Sequence, residues 1–158
     1  MSTYTPDEML VVLGFTVTID GGGTGTDVDD GWESCTGGAL NIEVREQPGT
    51  GTTTPGHKYI DEITLRGPLT AGRNALTDWI NATVSGSVDQ QYRTVVLKEI
   101  LKDGTDGKTF TYFDCFPTRY VFPAFSAEGI EPLYEEITFK PRRMEVSAGP
   151  PPVPGPAT

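Results

Sequence analysis

Residues 58–80, KYIDEITLRGPLTAGRNALTDWI, carry the chain from a half-buried strand into its one convincing helical segment. Tyr59, Ile63 and Leu65 alternate with Glu62, Thr64 and Arg66, the period of two that sets one strand face on a core and the other on water. After the Gly67-Pro68 break, Thr70 is placed to cap a helix in which Leu76, Trp79, Ile80 and Thr83 or Val84 fall on one stripe. That stripe makes Trp79 a core residue rather than a sugar-stacking platform. One helix must therefore cover a sheet.

Working outward, the period of two recurs on both sides. Val11, Leu13, Phe15, Val17 and Ile19 share one face of a first strand. From Trp32 to Glu46 the pattern sets Leu40, Ile42 and Val44 inward and Asn41, Glu43 and Arg45 outward. QPGTGTTTPGH at 47–57 is too rich in Gly, Thr and Pro to continue a ladder and is expected to be a mobile hairpin tip. Tyr92 to Lys102 and Thr109 to Phe116 flank the DGTDGK turn as a hairpin. Pro117 and Pro123 are expected to bracket a short strand, TRYVF. The last strand, Leu133 to Val146, turns Leu133, Glu135, Ile137 and Phe139 to one side and Tyr134, Glu136, Thr138 and Lys140 to the other. The expected fold is mainly β with one helix over residues 1–147, followed by a disordered Pro-rich tail at 148–158.

At 158 residues the chain is about one domain, and its 19 glycines and 13 prolines suit strands joined by turns. A formal net charge of -10 makes binding to a nucleic-acid backbone costly, because phosphate affinity is built from Lys and Arg contacts. No apolar run reaches the roughly 20 residues that span a bilayer, and MSTYTPDEMLVVLGF lacks the basic start of a signal peptide, so folding in the cytoplasm and no membrane anchor are expected. In that reducing setting Cys35 and Cys115 are expected to be buried, idle thiols.

Reactive constellations are scarce. Gly22 to Val28 follow the opening of a calcium-binding nonapeptide, G-G-x-G-x-D-x, but Asp29 stands where a large apolar residue is required and there is one copy of a motif that works in stacked arrays. An ordinary acidic loop is expected there, with a calcium-dependent β-sandwich binding module as the alternative. His57 is the only histidine and sits beside Pro55 and Gly56, a poor place to hold a catalytic base. Glu135 and Glu136 point to opposite strand faces, so they form no acid–base pair and are expected to be one inward-leaning and one solvated charge. Asn81-Ala82-Thr83 fits a glycosylation acceptor by chance on a helix. Neither an enzyme nor a cofactor is expected, and a small hydrolase is the weakest alternative.

From Phe15 to about Val146 the chain resembles the tail-tube, or inner-tube, proteins of contractile phages and contractile injection systems. The segments that carry the likeness are FTVTIDG at 15–21, PGHKYIDEITLRGPLT at 55–70, LTDWI at 76–80, VVLKEILKDG at 95–104 and FDCFPTRY at 113–120. Each is weak alone; their order and spacing are specific. The resemblance implies a β-sandwich or barrel with one flanking helix, homo-hexameric rings, and stacking into a hollow tube. Its implied partners are a sheath protein, a baseplate hub or spike, a tape measure, and DNA or protein cargo passing through the lumen. Its implied place is a virion tail or injection particle assembled in the bacterial cytoplasm. The secreted haemolysin-coregulated tube of type VI secretion systems is the nearest alternative.

A water-filled channel needs a polar lining, and the outward sets Asn41, Glu43, Arg45 and Glu62, Thr64, Arg66 would supply it. The loop Gly49, Thr50, Gly51, Thr52, Thr53 and Thr54 lies between those two strands, where it could reach a neighbouring ring.

Overall fold

The computed structural model describes residues 12–20, 27–29, 31–69, 74–86, 91–101, 104–121 and 133–147. The sequence elements Thr70, most of the 21–31 loop and the 148–158 tail lie outside them.

Among the described residues, ten strands and one helix follow one another as β1 (Val12–Asp20), β2 (Asp27–Asp29), β3 (Ser34–Gly37), β4 (Leu40–Glu46), β5 (Thr53–Ile60), β6 (Ile63–Pro68), α1 (Asn74–Ser85), β7 (Arg93–Leu101), β8 (Asp106–Val121), β9 (Tyr134–Lys140) and β10 (Arg143–Ser147). An eight-stranded antiparallel sheet runs β2-β1-β7-β8-β9-β6-β3, with β10 added on β8, and β4-β5 form a separate hairpin. The sheet bends back on itself around one core. Val17 and Ile19 of β1, Val95 and Leu97 of β7, Ile63 and Leu65 of β6, and Ile137 and Phe139 of β9 all meet there. The fold is thus the expected mainly-β barrel-like sandwich with a helix at its side.

The bend is made by β8, whose first half pairs with β7 and β10 and whose second half pairs with β9. Asp114 at its centre has φ +52, a left-handed conformation that aspartate tolerates better than most residues. Pro117 does not interrupt the strand as expected: it sits where the β8–β9 register slips, and a bulge leaves its missing N–H without a ladder bond to make.

The helix buries Ala75, Leu76, Trp79 and Ala82. Trp79 packs on Phe139, ring centroids 5.6 Å apart, and its Nε1 donates to the Gln91 carbonyl at 2.8 Å. Val84 is 82% exposed, so the buried stripe ends on Ala82 rather than on Val84. Thr83 bonds back to the Trp79 carbonyl at 2.9 Å, which satisfies its hydroxyl without burying it.

Three strands expected to be continuous are broken, each by a change of parity. Between Ile60 and Ile63 the residues Asp61 and Glu62 form a turn, so Ile60 is 3% exposed while Tyr59, expected on the core face, is 41% exposed. Between β3 and β4 stand Gly37 and Gly38, with φ +91 and +79. Pro141, buried, and Arg142 separate β9 from β10.

The second break has the largest consequence. Leu40, Ile42 and Val44 do not face the core as expected; they are exposed, Val44 to 70%, because the two glycines swing β4 off the sheet. β5 likewise extends the ladder through Thr53, Thr54, Pro55, Gly56 and His57, so the connection is a tight tip rather than an eleven-residue mobile loop. A bulge in β5 near Gly56 accommodates Pro55 opposite Val44.

Candidate functional site

Two surfaces stand out, a polar face on half of the sheet and the projecting hairpin. Both arise from residues that alternate as expected but not all in the same sheet.

The polar face belongs to β3, β6, β9 and the second half of β8. Residues opposite each other share a face. Two rows therefore cross these strands: Thr36, Thr64, Thr138 and Arg119, then Ser34, Arg66, Glu136 and Val121. Behind them Leu65, Ile63, Ile137 and Phe139 fill the core. The threonine hydroxyls of residues 64 and 138 are 3.0 Å apart, and Thr118 donates to the Thr138 carbonyl at 3.2 Å. The Arg66 guanidinium lies 4.3 Å over the Tyr134 ring and 4.0 Å from a Glu33 carboxylate oxygen. Both members of that ion pair are about half exposed, so it positions charge more than it stabilises. The face sets Arg66 and Arg119 against Glu33 and Glu136, a balance that a chain of net charge -10 does not have as a whole.

The expected channel set is thus divided. Thr64 and Arg66 lie on this face; Glu62 is in the turn before β6, where its carbonyl accepts from the Gly38 N–H at 3.3 Å. Asn41, Glu43 and Arg45 lie on one side of the hairpin, in a ladder with β5 alone. Asn41 Nδ2 donates to Asp61 at 3.0 Å and to the Ala39 carbonyl at 3.2 Å, tying the hairpin root to the turn. Thr36, Arg119, Glu136 and Thr138 were not singled out from sequence as part of this face. The outward alternation of Glu136 and Thr138 was the available signal; their adjacency to Thr64 is a matter of register.

Among the described residues the hairpin's two strands pair only with each other, and β10 is the element that touches β5. Its tip is closed by the Gln47 N–H donating to the Thr52 carbonyl at 3.0 Å, with the hydroxyls of Thr50 and Thr52 2.7 Å apart. Gly49, Thr50, Gly51 and Thr52 form the turn; Thr53 and Thr54 already belong to β5. The side chain of Arg45 lies over Gly56, where a Cβ would stand 3.0 Å from it. His57 is exposed and stacks on Tyr59 at 6.0 Å. At the root, Lys140 Nζ donates to the Ile60 carbonyl.

Glu135 leans inward as expected and accepts from the Tyr120 hydroxyl at 2.5 Å. Cys115 is buried, and burial pushes its thiol up to about 12. Cys35 is exposed on edge strand β3, contrary to expectation; its sulfur is on the Leu65 side, and the protein around it still pushes the thiol up to about 11. Among the described residues, no three His, Cys, Asp or Glu side chains cluster as a metal site, and no helix is long and apolar enough to cross a membrane.

The same fold occurs in tubes of known structure. The chain is similar to a chain in the sheath–tube complex of the extracellular contractile injection system PVC, with 24% identity, 93% of this chain and 99% of that one covered, and a TM-score of 0.66. A chain of the anti-feeding prophage tube-terminating cap is 21% identical over 94% and 95% of the two chains, with a TM-score of 0.66. Hcp1 from Flavobacterium johnsoniae is more distant, 14% identical over 85% and 95%, with a TM-score of 0.54. No curated protein matches the chain. Residues 13–145 match the family model described as T4-like virus tail tube protein gp19, and the chain belongs to that family.

Proposed function

We propose that the protein is the structural subunit of the inner tube of a contractile phage tail or contractile injection system, six copies closing into a ring and rings stacking around a channel. The observation that carries the reading is the face formed by Thr36, Thr64, Thr138 and the offset Arg66 and Glu136, on a four-stranded half-sheet whose outer strands, β3 and the second half of β8, each pair on one side only among the described residues. An unpaired edge is a hazard in a monomer and a joint in a ring. Six half-sheets joined edge to edge would make a barrel of roughly 24 strands, in the range that leaves an aqueous lumen.

The channel wall then consists of threonine rows and paired charges, with Glu62 near one rim and Asn41, Glu43 and Arg45 continuing the polar surface along the hairpin. Such a wall gives DNA or an acidic polypeptide few unpaired cations on which to lodge. Work is mechanical: the tube is a rigid conduit inside a sheath and on a baseplate, and no residue needs to react. A phage tail and a headless injection particle both fit, as does release of the particle from the cell that assembled it.

In this reading the hairpin tip touches the neighbouring ring. Deleting residues 49–54, which removes the turn and two exposed threonines but no core side chain, should leave folded monomers or rings and reduce tubes at least tenfold in negative-stain images. Tubes of normal length and number in that variant would remove the tip from the stacking contact. Of the other readings, the type VI tube shares the fold, but the family match favours the contractile-tail lineage.

A further inference from the structure

The hairpin leaves an exposed apolar row that no described residue covers. Leu40, Ile42, Val44 and then Glu46 occupy one side of β4, since the bulge lies in β5 and β4 itself alternates regularly. At the root this side is the core side, continuous with buried Ile60 opposite Leu40. Farther out the core has ended, yet the row stays apolar until the carboxylate at its tip. A seven-residue strand spans about 23 Å.

A second surface has complementary features. At the β9–β10 corner the Arg142 guanidinium lies 4.7 Å over the Tyr92 ring and donates to its hydroxyl at 3.0 Å. Arg143 lies 4.2 Å over Phe113, and Tyr92 meets Phe116 edge-on at 6.1 Å. Both arginines are exposed, the three rings are half-buried, and among the described residues neither guanidinium meets a carboxylate. Stacking fixes each guanidinium plane and leaves N–H groups free at its edge, the arrangement that makes Arg and aromatic residues dominant contacts in interfaces.

We propose that the hairpin of one copy docks on this corner of a second copy, the Leu40–Val44 row covering the rings and Glu46 pairing with Arg142 and Arg143. The proposal rests on the tube reading for its setting. A contact between two different surfaces of the same chain is heterologous and propagates from copy to copy, as rings and stacks require. It also places a carboxylate on an exposed arginine pair of a strongly acidic chain, where two copies would otherwise repel.

Charge reversal tests the pairing on the full chain. R142E/R143E, and separately E46R, should each raise the concentration for half-maximal assembly by about tenfold or more, and the combined triple variant should return to within about threefold of the parent. Parent-like assembly of both variants, or a triple variant no better than either, would overturn the contact. All of these side chains are exposed, and unchanged circular dichroism excludes misfolding as the cause. Independently, E46C with R143C in a C35S background should give a disulfide ladder beyond dimer under copper–phenanthroline, whereas each single cysteine should stop at dimer. No species beyond dimer overturns the proposal. A ladder without tubes in micrographs keeps this contact and overturns the tube reading; tubes that ignore the charge reversals do the opposite.

Discussion

Trp79→Ala should be the most damaging single truncation in the chain, costing about 4 kcal/mol and lowering the Tm of the unassembled protein by roughly 10–15 °C. Trp79 is fully buried between the helix and the sheet, against Phe139, with Leu76 and Ala82 on the same helical stripe. Trp79 is the largest fully buried side chain among the described residues, and a cavity there opens between two elements that cannot easily collapse together. Trp79→Phe separates the two contributions: the ring remains, but the Gln91 carbonyl loses its donor, and the expected cost falls to about 1–2 kcal/mol. Thermal unfolding followed by circular dichroism, at a concentration below assembly, measures both. An alanine variant within a few degrees of the parent would show that the helix is not sealing the core.

Gly37→Ala should cost about 3 kcal/mol or more and should disturb the hairpin specifically. Gly37 has φ +91, and a Cβ there would stand 2.0 Å from the backbone oxygen of Glu62, so both the conformation and the space exclude a side chain. The carbonyl cannot move away cheaply, because it accepts from Gly38 and belongs to the turn that Asn41 grips through Asp61. Relief would come from separating β3 from β6, loosening the hairpin root with it. Gly51→Ala is the control: φ is +66 but a Cβ meets nothing, so about 1 kcal/mol is expected. Urea midpoints compare the two, and limited proteolysis should cut the Gly37 variant faster within residues 38–62. Equal midpoints for both variants would contradict this account of the hinge.

These two positions also mark how far the sequence could be read. Where a strand lies over its own core, the period of two placed side chains correctly, as for Phe15, Val17 and Ile19, for Ile63 and Leu65, and for Ile137 and Phe139. It failed where parity changes between strands, at Asp61-Glu62 with no Gly or Pro to announce it, and at Gly37-Gly38 and Pro141 even though those residues stand there. Asp61 and Glu62 turn because the Asp61 N–H donates to the Ala39 carbonyl and Asn41 bonds the Asp61 carboxylate, causes twenty residues away along the chain. Leu40, Ile42 and Val44 illustrate a deeper ambiguity, since a strand that buries itself against another copy alternates as one that packs on its own core. The polar face was legible one strand at a time. Thr64 and Thr138 are each an outward residue in an alternating run, and only register reveals that their hydroxyls meet.

The central claim is that this chain builds a tube whose channel wall is the face carrying Thr64, Arg66 and Thr138. A cryo-EM map of the purified full chain at high concentration tests it directly. The account predicts stacked rings around an open channel, with those three side chains on its wall and the helix away from it. Uniform monomers at high concentration, or a tube that carries Thr64, Arg66 and Thr138 on its outer surface, would contradict it.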